Sequence, residues 1–271
     1  MKKYVYVSGA TGGFGKAMAV ECALRGWNLV LTDMSGERLE VLARALRSAY
    51  GVEVLCFPCD LSDTASRTAL ISTLAASGIR LSMAVNVAGV DYEGQFLART
   101  REEILTILNV NVVSTVDMMH SLVALRAEDG HFRIVNVASL AGMFPMPVKA
   151  TYAATKRLLI SMSLALREEF REIGATVTAL CPAGMATNAL LVKSIDAQGL
   201  AGRLTTLQVG KIARRTVDLA RKGRAVYIPG ALNRVLGAAG RLLPETFVAR
   251  LIHRRWEKTN RRFTAAQEGP A

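Results

Sequence analysis

The sequence predicts an α/β fold: a single doubly wound domain on a mostly or wholly parallel sheet of about seven strands, with a helical C-terminal extension. Three observations predict it. Short apolar runs alternate with helical patterns along most of the chain. The runs are nearly continuous in Val, Leu, Ile and Ala, as in strands covered on both faces. The first run ends in a glycine-rich loop that opens a helix, "SGATGGFGKAM".

The elements follow in order. "YVYVS" (4–8) reads as the first strand and 13–25 as the first helix. "NLVLTD" (28–33) is a second strand, and "GERLEVLARALRSAY" (36–50) is strongly amphipathic. "VEVLCFP" (52–58) is a third strand and 64–76 a third helix. "MAVNVAG" (83–89) is a fourth strand, followed by a helix over 101–126. "RIVNVAS" (133–139), a helix over 151–173 and "ATVTALCP" (175–182) continue the alternation. A helix over 208–222 leads to the last strand, "AVYIP" (225–229). Neither an internal repeat nor a Pro/Gly-rich linker interrupts this, so 1–230 reads as one domain and 231–271 as its basic helical extension.

A chain of 271 residues, 51% hydrophobic, can bury a sizeable core. It contains no run of 18 consecutive apolar residues, which argues against a membrane-spanning helix. "MKKYVYVSGATGG" turns into a strand and a glycine loop and lacks the pattern of a signal peptide. The expected location is the cytoplasm. Cys22, Cys56, Cys59 and Cys181 are too few for a disulfide framework. "CFPC" (56–59) has neither a partner pair nor nearby histidines, so it reads as structural. His120, His131 and His253 show no metal-ligand spacing, and no metal is expected.

In the loop, Gly9, Gly13 and Gly15 permit a tight turn and a close backbone approach to a diphosphate. The helix start adds free N–H groups and a positive dipole end. The spacing G-x-x-x-G-x-G differs from the usual G-x-G-x-x-G and also suits a plain tight strand–helix turn, but its place after the first strand points to a nucleotide site. Asp33 ends the second strand, where a carboxylate accepts from an adenosine ribose and repels a 2′-phosphate. Met34 and Gly12 supply no cation for such a phosphate, which favours NAD(H), while the nearby Arg38 leaves room for NADP(H).

Tyr152 and Lys156 stand at i and i+4 on a predicted helix and share a face. An ammonium beside a phenol favours the phenolate and makes tyrosine a usable acid/base.

Together, Gly9/Gly13/Gly15, Asp60, "NVAG" (86–89), Asn111, Ser139 and Tyr152/Lys156 resemble the short-chain dehydrogenase/reductase family, over about residues 3 to 230. The resemblance implies an oxidoreductase moving hydride between a nicotinamide dinucleotide and an alcohol or ketone. It implies that Tyr152 exchanges the proton and that Lys156 tunes it and holds the nicotinamide ribose. Ser139 would bond the substrate oxygen, and Asn111 would kink its helix and anchor a water beside Lys156. Asp60 would meet adenine, Asn86 and Gly89 would floor the ribose, and Thr187 would meet the carboxamide. Thr11, Gly12, Phe14, Leu61, Ala88, Pro182 and Ala183 fall among the same cofactor positions. Val87 replaces the family's second Asn, and Ala183 replaces a Gly.

If the family geometry holds, Met143, Phe144 and Met146 lie over the substrate, and Ala189 and Leu190 line a loop beyond it. Both walls are apolar, pointing to a lipid-, steroid- or long-chain-like secondary alcohol or ketone. A 3-oxoacyl-thioester on a carrier protein or coenzyme A is an alternative substrate. A dinucleotide-sensing or membrane-associated binding protein without turnover is the alternative of another class.

The charge of +12 is uneven: residues 203–262 hold 15 Lys/Arg against Asp218, Glu245 and Glu257. Pro244 and Glu245 suit a helix start. Phe247, Leu251 and Ile252 form an apolar side, with Arg250, Arg254, Arg255, Lys258, Arg261 and Arg262 opposite and Trp256 among them. That pattern resembles a helix drawn to an anionic membrane, with the protein then peripheral at the inner face; a solvated basic helix packed on the enzyme body or on a second subunit is the alternative. The fold argues against nucleic acid. The family often pairs as homodimer or homotetramer through its long helices, here 101–126 and 151–173.

Overall fold

The computed structural model describes residues 2–128, 131–185 and 208–267, with 257–267 as backbone. The strands are β1 (Lys3–Ser8), β2 (Asn28–Asp33), β3 (Val54–Pro58), β4 (Arg80–Asn86), β5 (Phe132–Val137), β6 (Ala175–Leu180) and β7 (Val226–Tyr227). They form one seven-stranded sheet, ordered β3-β2-β1-β4-β5-β6-β7, with every pairing parallel. The helices are α1 (Gly13–Leu24), α2 (Gly36–Tyr50), α3 (Thr64–Ala76), α4 (Arg101–Leu108), α5 (Ser114–Ala124), α6 (Ala150–Glu169), α7 (Val209–Arg221), α8 (Ala231–Leu242) and α9 (Glu245–Gln267).

Each strand's side chains alternate between two cores. Val5, Val7, Leu29, Leu31 and Val135 pack with α1, α2 and α7 on one face. Tyr4, Tyr6, Val30, Ile134 and Val177 pack with α3, α5 and α6 on the other. Each such buried side chain contributes roughly 1.5–3 kcal/mol. Helix starts follow local chemistry: Asp63 caps α3, and Thr100 and Glu103 form a reciprocal capping box on α4.

Several element ends differ from the sequence expectation: the helix expected over 151–173 ends at Glu169, the last strand shrinks to Val226–Tyr227, and two differences bear on the site. β4 runs 80–86, not 83–89. Its early residues already pair with Lys3 and Tyr4, while the N–H groups of Val87 and Ala88 donate to Ser8 Oγ at 3.0 and 3.2 Å and leave the ladder. The expected single helix over 101–126 is broken by a π-helical turn, Asn109–Val113, between α4 and α5. By length and mean hydropathy (1.3), Arg101–Ala124 could cross a membrane, which a search for unbroken apolar runs passes over. Here it is a layer of the fold: Asn111, Met118, Met119 and Leu122 are buried, and Asp117 binds Arg67 at 2.6 Å.

Candidate active site

The strand order reverses between β1 and β4, and in open α/β sheets the carboxyl ends of the strands at such a reversal form the binding crevice. The glycine loop lies on one side of it. Gly9 has φ +60°, and a Cβ there would meet the Ala88 backbone at 3.0 Å. A Cβ at Gly15 would fall 2.0 Å from the Gly9 carbonyl oxygen. α1 begins at Gly13, and its N-cap, Gly12, offers no side-chain cap, nor does its first turn hold an acidic residue. Backbone N–H groups therefore head the helix without a side-chain cap or an opposing carboxylate, a start that fits a diphosphate. Asp33 stands at its edge. Its oxygens accept from Thr11 N at 2.9 Å and Met34 N at 2.8 Å, and a carboxylate retains lone pairs for a ribose hydroxyl.

Across the crevice lies the tyrosine site. Tyr152 and Lys156 share the start of α6, with Lys156 Nζ 5.6 Å from the centre of the phenol ring. Lys156 is buried and donates to the Val137 carbonyl at 2.9 Å. Burial lowers its pKa from 10.5 to about 8, opposed by the Asp91 carboxylate. Burial also raises the Tyr152 phenol, while its hydrogen bond with Ser139 pulls it down. Lys149 also acts on the phenol, its ammonium 5.9 Å from the ring centre favouring the phenolate. Ser139 caps the turn Leu140–Met143, accepting from Ala141 N at 3.1 Å. Gly142 brings that turn onto α6, where a Cβ would sit 2.7 Å from the Arg157 nitrogen and the Lys156 carbonyl carbon.

Asn111 lies in the π turn between α4 and α5. It is fully buried, and its amide clasps Val90, accepting from N at 2.8 Å and donating to O at 2.9 Å. Gly89 runs directly beside it, since a Cβ there would meet Asn111 Oδ1 at 3.1 Å and Lys156 Nζ at 3.2 Å. Asn86 donates to Asn136 at 2.8 Å and braces the floor.

Phe14 and Leu61 send their side chains into the two cores, which leaves their backbone as the part on the loop side. Asp60 spends one oxygen on the Ser62 turn, at 2.8 Å to N. Met143 is buried against Ile160 and Cys181, not over a substrate, while Phe144 and Met146 line a 360 Å³ pocket. Pro182 is buried, and its carbonyl accepts from Leu140 N at 2.8 Å; Ala183 beside it is half-buried. Thr187, Ala189 and Leu190 lie outside the described residues.

Sequence reasoning missed a clasp. Lys149 binds Asp91 at 2.6 Å and Glu93 at 2.8 Å while its ammonium lies 5.9 Å from the Tyr152 ring centre. Burial alone would lower Lys149, but the two carboxylates hold it above its ordinary value. Val148 next to it has φ +70°, strained for a β-branched residue, and its carbonyl accepts from Gly94 N at 2.9 Å. Tyr92, Phe96, Val148 and Lys149 line a 230 Å³ pocket that reaches Tyr152. The cysteines stay structural: burial raises the Cys22 thiol to about 12 and Cys56 to about 11, against the thiolate.

A family model described as short chain dehydrogenase matches residues 3–197. The chain belongs to the short-chain dehydrogenase/reductase family. As a member it is an oxidoreductase acting between CH–OH and C=O groups. Sulfoacetaldehyde reductase of Chromohalobacter salexigens is 33% identical over 72% of this chain and 77% of its own length. Very-long-chain 3-oxoacyl-CoA reductase-A of Danio rerio is 31% identical over 68% of this chain, but the match spans only 59% of that protein. Ketoacyl reductase HetN of a Nostoc species is 27% identical over 94% and 88%. Among solved structures, a 7β-hydroxysteroid dehydrogenase superposes with TM-score 0.82 at 24% identity, covering 93% of this chain and 96% of that one. A Sphingobium yanoikuyae short-chain dehydrogenase in complex with NADPH gives TM-score 0.75 at 26% identity over 89% and 94%.

Proposed function

We propose that this short-chain dehydrogenase/reductase interconverts a secondary alcohol and a ketone on an apolar, lipid-, steroid- or long-chain-like substrate, using NAD(H). The observation that carries the reading is the pairing of an uncapped, glycine-rich helix start with a half-buried Tyr152 set beside buried Ser139 and Lys156. The dinucleotide supplies or accepts the hydride. Gly9, Gly12, Gly13 and Gly15 would hold its diphosphate, Asp33 its adenosine ribose and Lys156 its nicotinamide ribose. Tyr152 passes a proton at its phenolic oxygen, and Ser139 hydrogen-bonds the same substrate oxygen. Asn111 positions Lys156 by pinning the Val90 backbone beside it.

The Asp33 carboxylate favours NAD(H) by repelling a 2′-phosphate. The relative bound to NADPH keeps NADP(H) as the competing choice. Apolar pocket linings, with Phe144, Pro145 and Met146 in one and Tyr92, Phe96 and Val148 in the other, support an apolar substrate. The 3-oxoacyl-thioester alternative rests on the relatives named for that activity. Exposed Leu105, Leu108 and Val113 before and within the break, and Leu158 and Leu164 on α6, support pairing of copies through these helices. Four free thiols suit a reducing compartment, the cytoplasm.

The test is a ketone series of rising chain length offered with NADH and with NADPH. We expect turnover with NADH and a kcat/KM that climbs with apolar length. Turnover confined to small charged carbonyls would overturn the substrate class, and turnover with NADPH alone would overturn the Asp33 reading.

A further inference from the structure

α8 and the start of α9 wear their apolar residues on the outside. The face α8 turns to the protein is small or polar. Asn233 is buried, Gly237 lies against Leu140 and Met143, and Gly240 sits where a Cβ would meet the Phe144 ring at 2.6 Å. The opposite face carries Leu232, Val235 (64% exposed) and Leu242 (85% exposed). α9 continues the pattern. Val248 is buried on its inner side, while Phe247 (50%) and Leu251 (57%) face out, interleaved with exposed Arg250 and Arg254 at helical spacing. Of the 17 large hydrophobic residues exposed among the described residues, seven fall between Leu232 and Leu251. Scattered single exposures need no explanation, but a contiguous stripe on one pair of helices does.

We propose that this face docks on an anionic lipid bilayer. Three features select that occupant. The stripe is apolar, which bulk acidic partners such as nucleic acid do not reward. It lies in the segment that holds 15 Lys/Arg against three acidic residues, and one of those three, Glu245, is already engaged by Arg157 at 2.7 Å. A second copy would bring two such basic segments face to face, and their repulsion opposes pairing there. An interfacial helix with apolar and basic side chains on its outward face gains from acyl chains and anionic headgroups together.

Docking also has a consequence for the site. The inner face of α8 packs on Leu140–Phe144, the segment that follows Ser139. A docked molecule therefore holds the substrate side of its crevice close to the lipid. The docking itself does not depend on the catalytic reading, and its test is independent of turnover.

The experiment is flotation of the full chain with vesicles of phosphatidylcholine alone, and with phosphatidylserine as about a third of the lipid. Two double variants are compared, Val235→Gln with Leu242→Gln and Arg250→Glu with Arg254→Glu, all at exposed positions. Thermal melting verifies that each variant is folded. We expect the wild type to float with the anionic vesicles and not the neutral ones, and each pair to lose on the order of tenfold in bound protein. Absence of flotation with anionic vesicles overturns the proposal. So does flotation that survives Val235→Gln with Leu242→Gln. A mass that grows with concentration in light scattering, and is abolished by those two substitutions without any flotation, assigns the stripe to a second copy and also overturns it.

Discussion

Lys156 carries a buried ammonium that the sheet supports with one carbonyl, Val137 O at 2.9 Å. Its pKa lies at about 8 in the fold against 10.5 ordinarily, so the unfolded chain binds more protons between those values. Stability due to this group therefore rises with pH through that window, and the cost of burying the cation is in full force below about 8. Lys156→Met should accordingly melt higher than the wild type at neutral pH, by on the order of 1–3 kcal/mol, and lose that advantage in alkali. Melts of both proteins across the window check this, and a wild type more stable than the variant at neutral pH contradicts it. A residue that costs stability where it sits is expected at a working site. Tyr152 and Lys156 were legible in the sequence because their relation is local, four positions on one helix. The Lys149 clasp was not, because Asp91 lies 58 positions away and only the fold brings it there. The burial of the Phe14, Leu61 and Met143 side chains was not legible for a related reason: position in a motif does not fix which way a side chain points.

At the scale of the element, the turn Leu140–Met143 is the joint between β5 and α6. Gly142 lets it rest on the backbone of Lys156 and Arg157. Gly142→Ala places a methyl 2.7 Å from backbone atoms that have little freedom to move. We expect a loss of about 1–3 kcal/mol in stability together with a fall in kcat, as Ser139 and Lys156 shift apart. Gly210→Ala on α7, where a Cβ meets nothing within 4 Å, is the control and should be neutral or slightly stabilising. Melting temperature and kcat of both variants decide it, and equal behaviour of the two would count against the joint. The alternation of strands and helices was readable from apolar runs. The π turn was readable only through resemblance, since nothing in the hydrophobic period around Asn111 distinguishes it from a regular helix. The periodicity of α8 was equally silent on direction, because a stripe of leucines has the same spacing whether it faces a core or a bilayer.

At the scale of the whole molecule, the parallel sheet is the device that assembles the site. Its order places the end of β1 beside the end of β4, so that Gly9, Ala88 and Gly89 meet, while β5 and α6 bring Ser139, Tyr152 and Lys156 to the other wall. Residues separated by more than a hundred positions thus line one crevice, with α8 packed behind the substrate wall. The account stands on proton transfer by Tyr152 opposite a dinucleotide cradle. Its most direct measurement is NADH oxidation by an apolar ketone with wild type and Tyr152→Phe, alongside thermal shifts with NADH. The expected result is a loss of at least about a hundredfold in kcat with the NADH-induced stabilisation retained. Unchanged turnover in Tyr152→Phe would contradict the account.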